Sequence, residues 1–181
     1  MKTESRKDIM NNLTERAFAK ALKDIMQDKS FDKVTVTELV KKLNVNRQTF
    51  YYHFNDLYDL LERIYIMDGD TILNQAANSG TWQEELLAIF HYIQDNRQFV
   101  CNTYYSVNRN YLEHFLYDRI YRFIKPIVQE KHPNLSGTEL DYRVNFYKYA
   151  LVGFVLDWID SGLKENPEAL AQHISRVLEP L

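Results

Sequence analysis

An all-α fold is what this sequence predicts: a three-helix helix-turn-helix head followed by a larger helical body. Three observations carry that prediction. Apolar residues recur three and four positions apart through most of the chain, which is the spacing of one helix face. Strict apolar–polar alternation, the mark of a half-buried strand, is scarce. The 181 residues also contain only five glycines and four prolines, few breakers for so long a chain. With 45% apolar and 26% charged residues, the composition is that of a folded chain, long enough to bury a substantial core.

Residues 1 to about 10 are polar and read as frayed. A helix follows over 11–28, where Leu13, Ala17, Phe18, Ala21, Leu22 and Ile25 form one apolar stripe and Arg16, Lys20 and Lys23 a basic solvent side. Ser30 to Lys33 connect it to the next helix, with Phe31 expected to plug the core. Thr35 and Glu38 have the spacing of a capping box, and Val36, Leu39, Val40 and Leu43 continue at helical spacing. Asn44 tolerates the left-handed conformation that often ends a helix, and Val45 pins the turn. Asn46 then caps a second short helix over 47–53.

A long helix is expected over 56–78, capped by Asn55, interrupted only by Gly69 and ended by Ser79 and Gly80. Its length can link a head, 1–55, to a separate regulatory and dimerisation body, 56–181. Thr81 and Glu84 look like another capping box. Further helices are read over 82–95, 97–106, 110–131, 138–162 and 167–179. Pro126 should kink or break the third of these, and Gly162 should end the fourth. Asn166 and Pro167 form a cap followed by proline at the first helical position.

Charge is divided unevenly along the chain. The net charge is −3, yet residues 1–55 carry 11 Lys and Arg against 7 Asp and Glu, and residues 56–181 carry 11 against 18. Phosphate contacts therefore belong to the N-terminal third. Cys101 stands alone, so the chain cannot build an internal disulfide, and a reducing compartment is expected. The charged N-terminus reads against a secretory leader, and no run approaches the 18 apolar residues of a membrane span. Together these readings predict a cytoplasmic protein without membrane contact.

Catalysis finds no support. The five histidines lack metal-ligand spacing, neither a P-loop nor a dinucleotide glycine motif occurs, and nothing marks Cys101 as a nucleophile. No metal or cofactor is expected. The helix over 47–53 carries the functional signal instead. Phe50 and Phe54 share one face, while Gln48, Tyr51 and Tyr52 point away from it and Arg47 and Thr49 flank them. A guanidinium, an amide, hydroxyls and phenols on two turns of helix suit a DNA major groove, in which Arg and Gln read base edges and hydroxyls hold phosphates.

Residues 11–60 resemble the N-terminal domain of TetR-family transcriptional regulators. The resemblance rests on Val34-Thr35-Val36-Thr37-Glu38-Leu39, Leu43-Asn44-Val45 and Thr49-Phe50-Tyr51-Tyr52-His53-Phe54, with Leu60-Leu61 at the family's usual distance. It implies a homodimer on a near-palindromic double-stranded DNA operator, controlled by an effector on the body, with repression the commoner outcome. It further implies that Arg47 and Gln48 face bases, that Thr35, Thr37, Thr49, Tyr51 and His53 meet phosphates, and that Tyr52 packs on a thymine methyl or sugar. Arg47→Ala should then relax base preference, and Thr37→Ala should weaken all sequences alike. Two positions depart from the family pattern: Asn44 replaces a common glycine, and Leu57 replaces a phosphate-touching lysine. The second shifts the expected load to Lys33, Lys41 or Lys42.

Within the body, Trp82 to Leu87, Asn96 to Phe99 and Asn110 to Phe115 resemble the subgroup containing the dihydroxyacetone kinase operon activator. That resemblance implies an alternative, an activator controlled by a protein co-activator rather than a small ligand. A helical protein-interaction module without specific DNA binding is the remaining rival. The effector is left open as small molecule or protein. Tyr104, Asn108, His114 and Arg119 are the candidate lining of a pocket among the body's many aromatics. The last two helices, with Phe146, Ala150, Gly153 and Phe154, then Leu170, Ile174, Val177 and Leu178, are expected to pack two copies into a four-helix interface.

Overall fold

The computed structural model describes residues 6–76, 81–106 and 109–178. Among these residues the protein is built from nine α-helices and one 3-10 turn: α1 Arg6–Ile25, the turn Phe31–Lys33, α2 Val36–Leu43, α3 Arg47–His53, α4 Leu57–Ala76, α5 Trp82–Asp95, α6 Arg97–Tyr104, α7 Asn110–Lys131, α8 Gly137–Asp160 and α9 Pro167–Leu178. None of the helices is long and apolar enough to cross a membrane.

The head closes around three phenylalanines. Phe18 of α1 meets Phe50 edge-on at 5.5 Å and Phe54 at 5.7 Å, and Phe50 and Phe54 lie 5.4 Å apart. Leu22, Met26, Phe31 and Leu39 complete this core, all essentially inaccessible to water. Phe31 plugs it as expected and also touches Tyr58 of α4 at 5.1 Å, tying the head to the long helix. The expected α1 stripe is too long at its start. Leu13 is 62% exposed and Ala17 is exposed, so the buried stripe of α1 begins at Phe18. The helix also begins at Arg6, inside the stretch read as frayed, and ends at Ile25.

Local signals at the helix ends hold, with three changes. Asn55 does not cap α4. Asp56 does, its Oδ1 accepting from the backbone N–H groups of Tyr58 and Asp59, while Asn55 donates to the Asp59 carboxylate. A carboxylate binds the free N–H groups of a helix start more strongly than an amide does. At α5 only half of a capping box forms. Thr81 accepts from Glu84 N, but Glu84 returns to the Thr81 hydroxyl rather than to its backbone. Pro126 does not break α7, which runs on to Lys131 with Phe123, Ile124, Ile127 and Val128 buried on either side of it. That burial outweighs the one backbone hydrogen bond proline removes. The expected end of α4 at Ser79 and Gly80 lies outside the described residues.

In the body, α7 and α8 pack along their length, α9 covers α5, and α4 lies against α5 and α7. Gly69 is buried where α4 crosses α7. A Cβ there would sit 3.2 Å from both Arg119 Nε and Phe115 Cζ, so the glycine sets the approach of the two helices. Gly69→Val should lower stability by about 1–3 kcal/mol through overpacking, read as a reduced denaturant midpoint. The end of α8 follows the sequence expectation. Gly162 adopts φ 78° and Leu163, buried, follows at φ 54°.

Candidate nucleic-acid interface

The interface begins with the caps that hold α2 and α3 at a fixed angle. Thr35 Oγ1 accepts from Glu38 N while the Glu38 carboxylate accepts from Thr35 N, a complete capping box. Lys29 donates to the same carboxylate and, ahead of Thr35, holds the Glu38 carboxyl below the usual glutamate range. The pairing is exposed and its stabilisation is small. By linkage, a lowered folded-state pKa gives stability that is present above the ordinary glutamate range. It is lost as pH falls through the folded value. Thr35→Ala should cost about 1 kcal/mol, measurable as a lowered melting temperature.

Asn44 ends α2 in the left-handed region, at φ 53° and ψ 44°, and its N–H returns to the carbonyls of Lys41 and Val40. Two residues later the Asn46 side chain accepts from Thr49 N at 2.8 Å and from Thr49 Oγ1 at 3.1 Å. The chain therefore turns within three residues, Asn44 to Asn46, and starts α3 at once. Phe50 anchors α3 from below, and Arg47, Gln48, Tyr51 and Tyr52 stand exposed on its other side.

Arg47 is held before any partner arrives. One guanidinium nitrogen donates to Thr37 Oγ1 at 3.3 Å, the other to Tyr51 Oη at 3.2 Å, and its carbon lies 5.9 Å from the Tyr51 ring centroid. Thr37, Arg47 and Tyr51 thus form one connected surface across α2 and α3, with Gln48 and Tyr52 beside it. Thr35 and Thr49 lie at the two helix starts and spend their hydroxyls on the caps. His53 does not join the open face. Its side chain is only 7% exposed, and Nδ1 lies 3.8 Å from Glu15 of α1, whose other oxygen meets Arg63 of α4 at 3.6 Å. Lys33, Lys41 and Lys42 are exposed around the head, Lys42 being 3.7 Å from Asp24.

The family models fit this architecture at both ends. The one described as "Bacterial regulatory proteins, tetR family" matches residues 19–64, and the TetR model described as "Transcriptional regulator C-terminal region" matches residues 80–180, more than half the chain. The chain belongs to the TetR family. It is a DNA-binding transcriptional regulator with an all-helical fold.

Among proteins similar to this TetR-family chain is the HTH-type dhaKLM operon transcriptional activator DhaS of Lactococcus lactis subsp. lactis (strain IL1403). It is 28% identical over 131 residues, covering 71% of this chain and 69% of DhaS. A solved structure of the dihydroxyacetone kinase operon activator DhaS superposes with a TM-score of 0.76 at 24% identity, covering 92% of this chain and 94% of that one. A TetR transcriptional regulator from Streptococcus agalactiae 2603V does so with a TM-score of 0.68 at 20% identity, with the same coverage. The two structures support the shared fold.

In the body of this TetR-family protein, three of the predicted pocket residues, Tyr104, His114 and Arg119, do not line one cavity. A cavity of about 50 Å³ lies between α4, α5, α6, α7 and α8, with walls that include Tyr65, Gly69, Tyr92, Val100, Phe115 and Arg119. Among the described candidates, Arg119 alone reaches it. Its guanidinium pairs with Asp70 at 2.6 Å, and its Nε is buried without a hydrogen-bond partner among the described residues. Tyr104 is buried elsewhere beneath the Arg109 guanidinium, His114 is exposed, and Asn108 lies outside the described residues. Sequence reading missed Tyr65, a fully buried phenol that burial pushes up while the Thr103 hydroxyl beside it opposes that shift. It also missed Tyr92, pushed up by burial and then by Asp68, to which it donates. Burial raises the Cys101 thiol as well, which disfavours its nucleophilic thiolate form.

Proposed function

We propose that the protein works as a homodimer whose two α3 helices enter successive major grooves of a near-palindromic operator. In this reading the head is residues 1–55 and the body 56–181, a division supported by the break between α3, ending at His53, and α4, starting at Leu57. Arg47 and Gln48 read base edges, Tyr52 packs on a thymine methyl or sugar, Thr37 and Tyr51 approach phosphates, and Thr35 and Thr49 do so only by turning their hydroxyls away from Glu38 and Asn46. His53 reaches a phosphate only by leaving Glu15. The observation that carries this reading is the Arg47 fork, exposed and already braced by Thr37 and Tyr51. A braced guanidinium loses less freedom on docking than a free one. DNA as the partner places the protein in the cytoplasm.

The second copy is supported by an apolar stripe that the folded chain leaves open. Tyr142, Phe146, Tyr149 and Phe154 of α8 and Val177 of α9 are exposed, and Gly153 has open space over its Cα. Phe146, 68% exposed, has no reason to be aromatic on a solvated face. Phe146→Glu should give a monomer by sedimentation velocity, with operator affinity lost and helix content retained. Unchanged dimerisation would remove α8 from the interface. Sequencing DNA fragments retained by the purified protein identifies the operator, and finding no enriched sequence would sink the regulator reading in this form.

For control of the heads, repression is the reading the family pattern favours. One observation favours the activator alternative, with a protein partner on the body. The enclosed cavity of about 50 Å³ is far smaller than the several hundred Å³ of a drug-sized ligand site, and the larger hollows near Asp68 and Thr71, of about 390 and 810 Å³, are open grooves rather than enclosed sites. The similar DhaS is named a transcriptional activator. A purified partner that raises transcription from the operator distinguishes the two readings.

A further inference from the structure

Besides the contacts of Phe31 and Glu15 with α4, the body grips the head through two polar contacts that fall on or just past the second half of α1. Lys23 of α1 ion-pairs with Asp68 of α4, and Tyr92 of α5 donates to the same carboxylate. The Lys23 ammonium also lies 5.5 Å from the Tyr92 ring centroid and 5.4 Å from that of Phe99. At the second place Asn102 of α6 donates its side-chain N–H to the Met26 carbonyl at 2.5 Å and to the Lys29 carbonyl at 3.4 Å. These carbonyls lie in the turn that ends α1, where helix geometry leaves oxygens without intrahelical partners. The Met26 side chain is fully buried in the head, so holding its carbonyl holds the head's core as well.

Helix α6 stands between this contact and the cavity. Val100 forms part of the cavity wall, and Phe99 packs against Tyr65 at 5.3 Å. Val100 and Asn102 are two residues apart, which at about 100° per residue puts them on opposite sides of α6. Any displacement of α6 from the cavity side is therefore delivered to the end of α1.

We propose that Asn102 is a positioning residue for operator binding: its hydrogen bonds to the carbonyls ending α1 set the angle of the head on the body, and α6 ties that angle to the packing of the cavity behind Val100. The inference rests on the two-headed dimer reading, because a small rotation of each head matters most when two heads must match the groove repeat.

The test uses the full chain and two duplexes, the operator fragment selected by the wild-type protein and the same fragment with one half-site scrambled. Asn102→Leu removes the donor, and Asn102→Asp turns a carboxylate toward carbonyl oxygens. Asn102→Leu should weaken the full operator roughly two- to tenfold, the worth of one hydrogen bond, and Asn102→Asp by more. Both should stay within about twofold of wild type on the single half-site, where the head angle is irrelevant. Equal losses on both duplexes would mean local damage to the head and would overturn the proposal, as would no loss on either. If Asn102→Asp does not fold, Asn102→Leu carries the comparison. Val100→Phe, which overfills the cavity wall, should weaken the full operator in the wild-type background and add little in the Asn102→Leu background; strict additivity would overturn the link to the cavity. A wild-type protein that binds both duplexes equally would overturn the two-headed reading first, and this proposal with it.

Discussion

Replacing Arg47 with alanine should cost about 2 kcal/mol of operator discrimination, the worth of a bidentate contact to one base. The loss should concentrate at one base pair per half-site, so that substituting that pair no longer changes affinity in the variant. Two features make the side chain suited to this. Its fork is planar and permanently charged, and it is braced between Thr37 Oγ1 and Tyr51 Oη in the free protein. The same brace alters the expectation for Thr37. From sequence, Thr37→Ala should weaken all DNA sequences alike, as a phosphate contact does. With Thr37 accepting from Arg47, the variant should also loosen the fork and blunt discrimination at the same base pair. Competition assays against a panel of single-base operator variants separate the two effects. Discrimination that survives in Arg47→Ala would move base reading to Gln48 or Tyr52.

Phe50→Ala should have the largest effect on stability, about 3–5 kcal/mol, by opening a cavity at the centre of the head. Phe50 is fully buried against Phe18 and Phe54, at the centre of the three-ring cluster around which the head closes. Most of the body's contacts do not depend on it. The expected result is loss of DNA binding with most helix signal retained, together with a new low-temperature step in thermal unfolding. A single transition shifted by less than a degree would mean that the core closes without Phe50.

What could be read from the sequence was local. Thr35, Glu38, Asn44 and Asn46 act on backbone groups within four residues, so their spacing alone fixes what they do, and the turn between α2 and α3 follows from them. Helix spans in the body were equally legible, because burial leaves a period that survives without knowledge of the neighbour. What the period does not contain is where the neighbour stops. Leu13 and Ala17 lie on the same stripe as Phe18 and yet face solvent. His53 is one residue past Tyr52, but its direction depends on Glu15, thirty-eight positions away. The Arg119–Asp70 pair and the close approach at Gly69 arise from the crossing of α4 and α7, which no local pattern encodes. For the same reason Tyr65 and Tyr92 could not be singled out among thirteen tyrosines.

The division of charge predicts a steep salt dependence of DNA binding. Basic groups are concentrated in a head attached to an acidic body, so specific binding should depend on release of counterions from DNA phosphates. A titration of operator affinity against salt should give a straight line on logarithmic axes. If the two heads make six to ten phosphate contacts, affinity should fall on the order of 10³-fold or more between 50 and 200 mM. Arg47→Ala should change its intercept more than its slope. Binding that is flat across this range, or absent at the lowest salt on every enriched fragment, would contradict recognition of DNA by the face of α2 and α3.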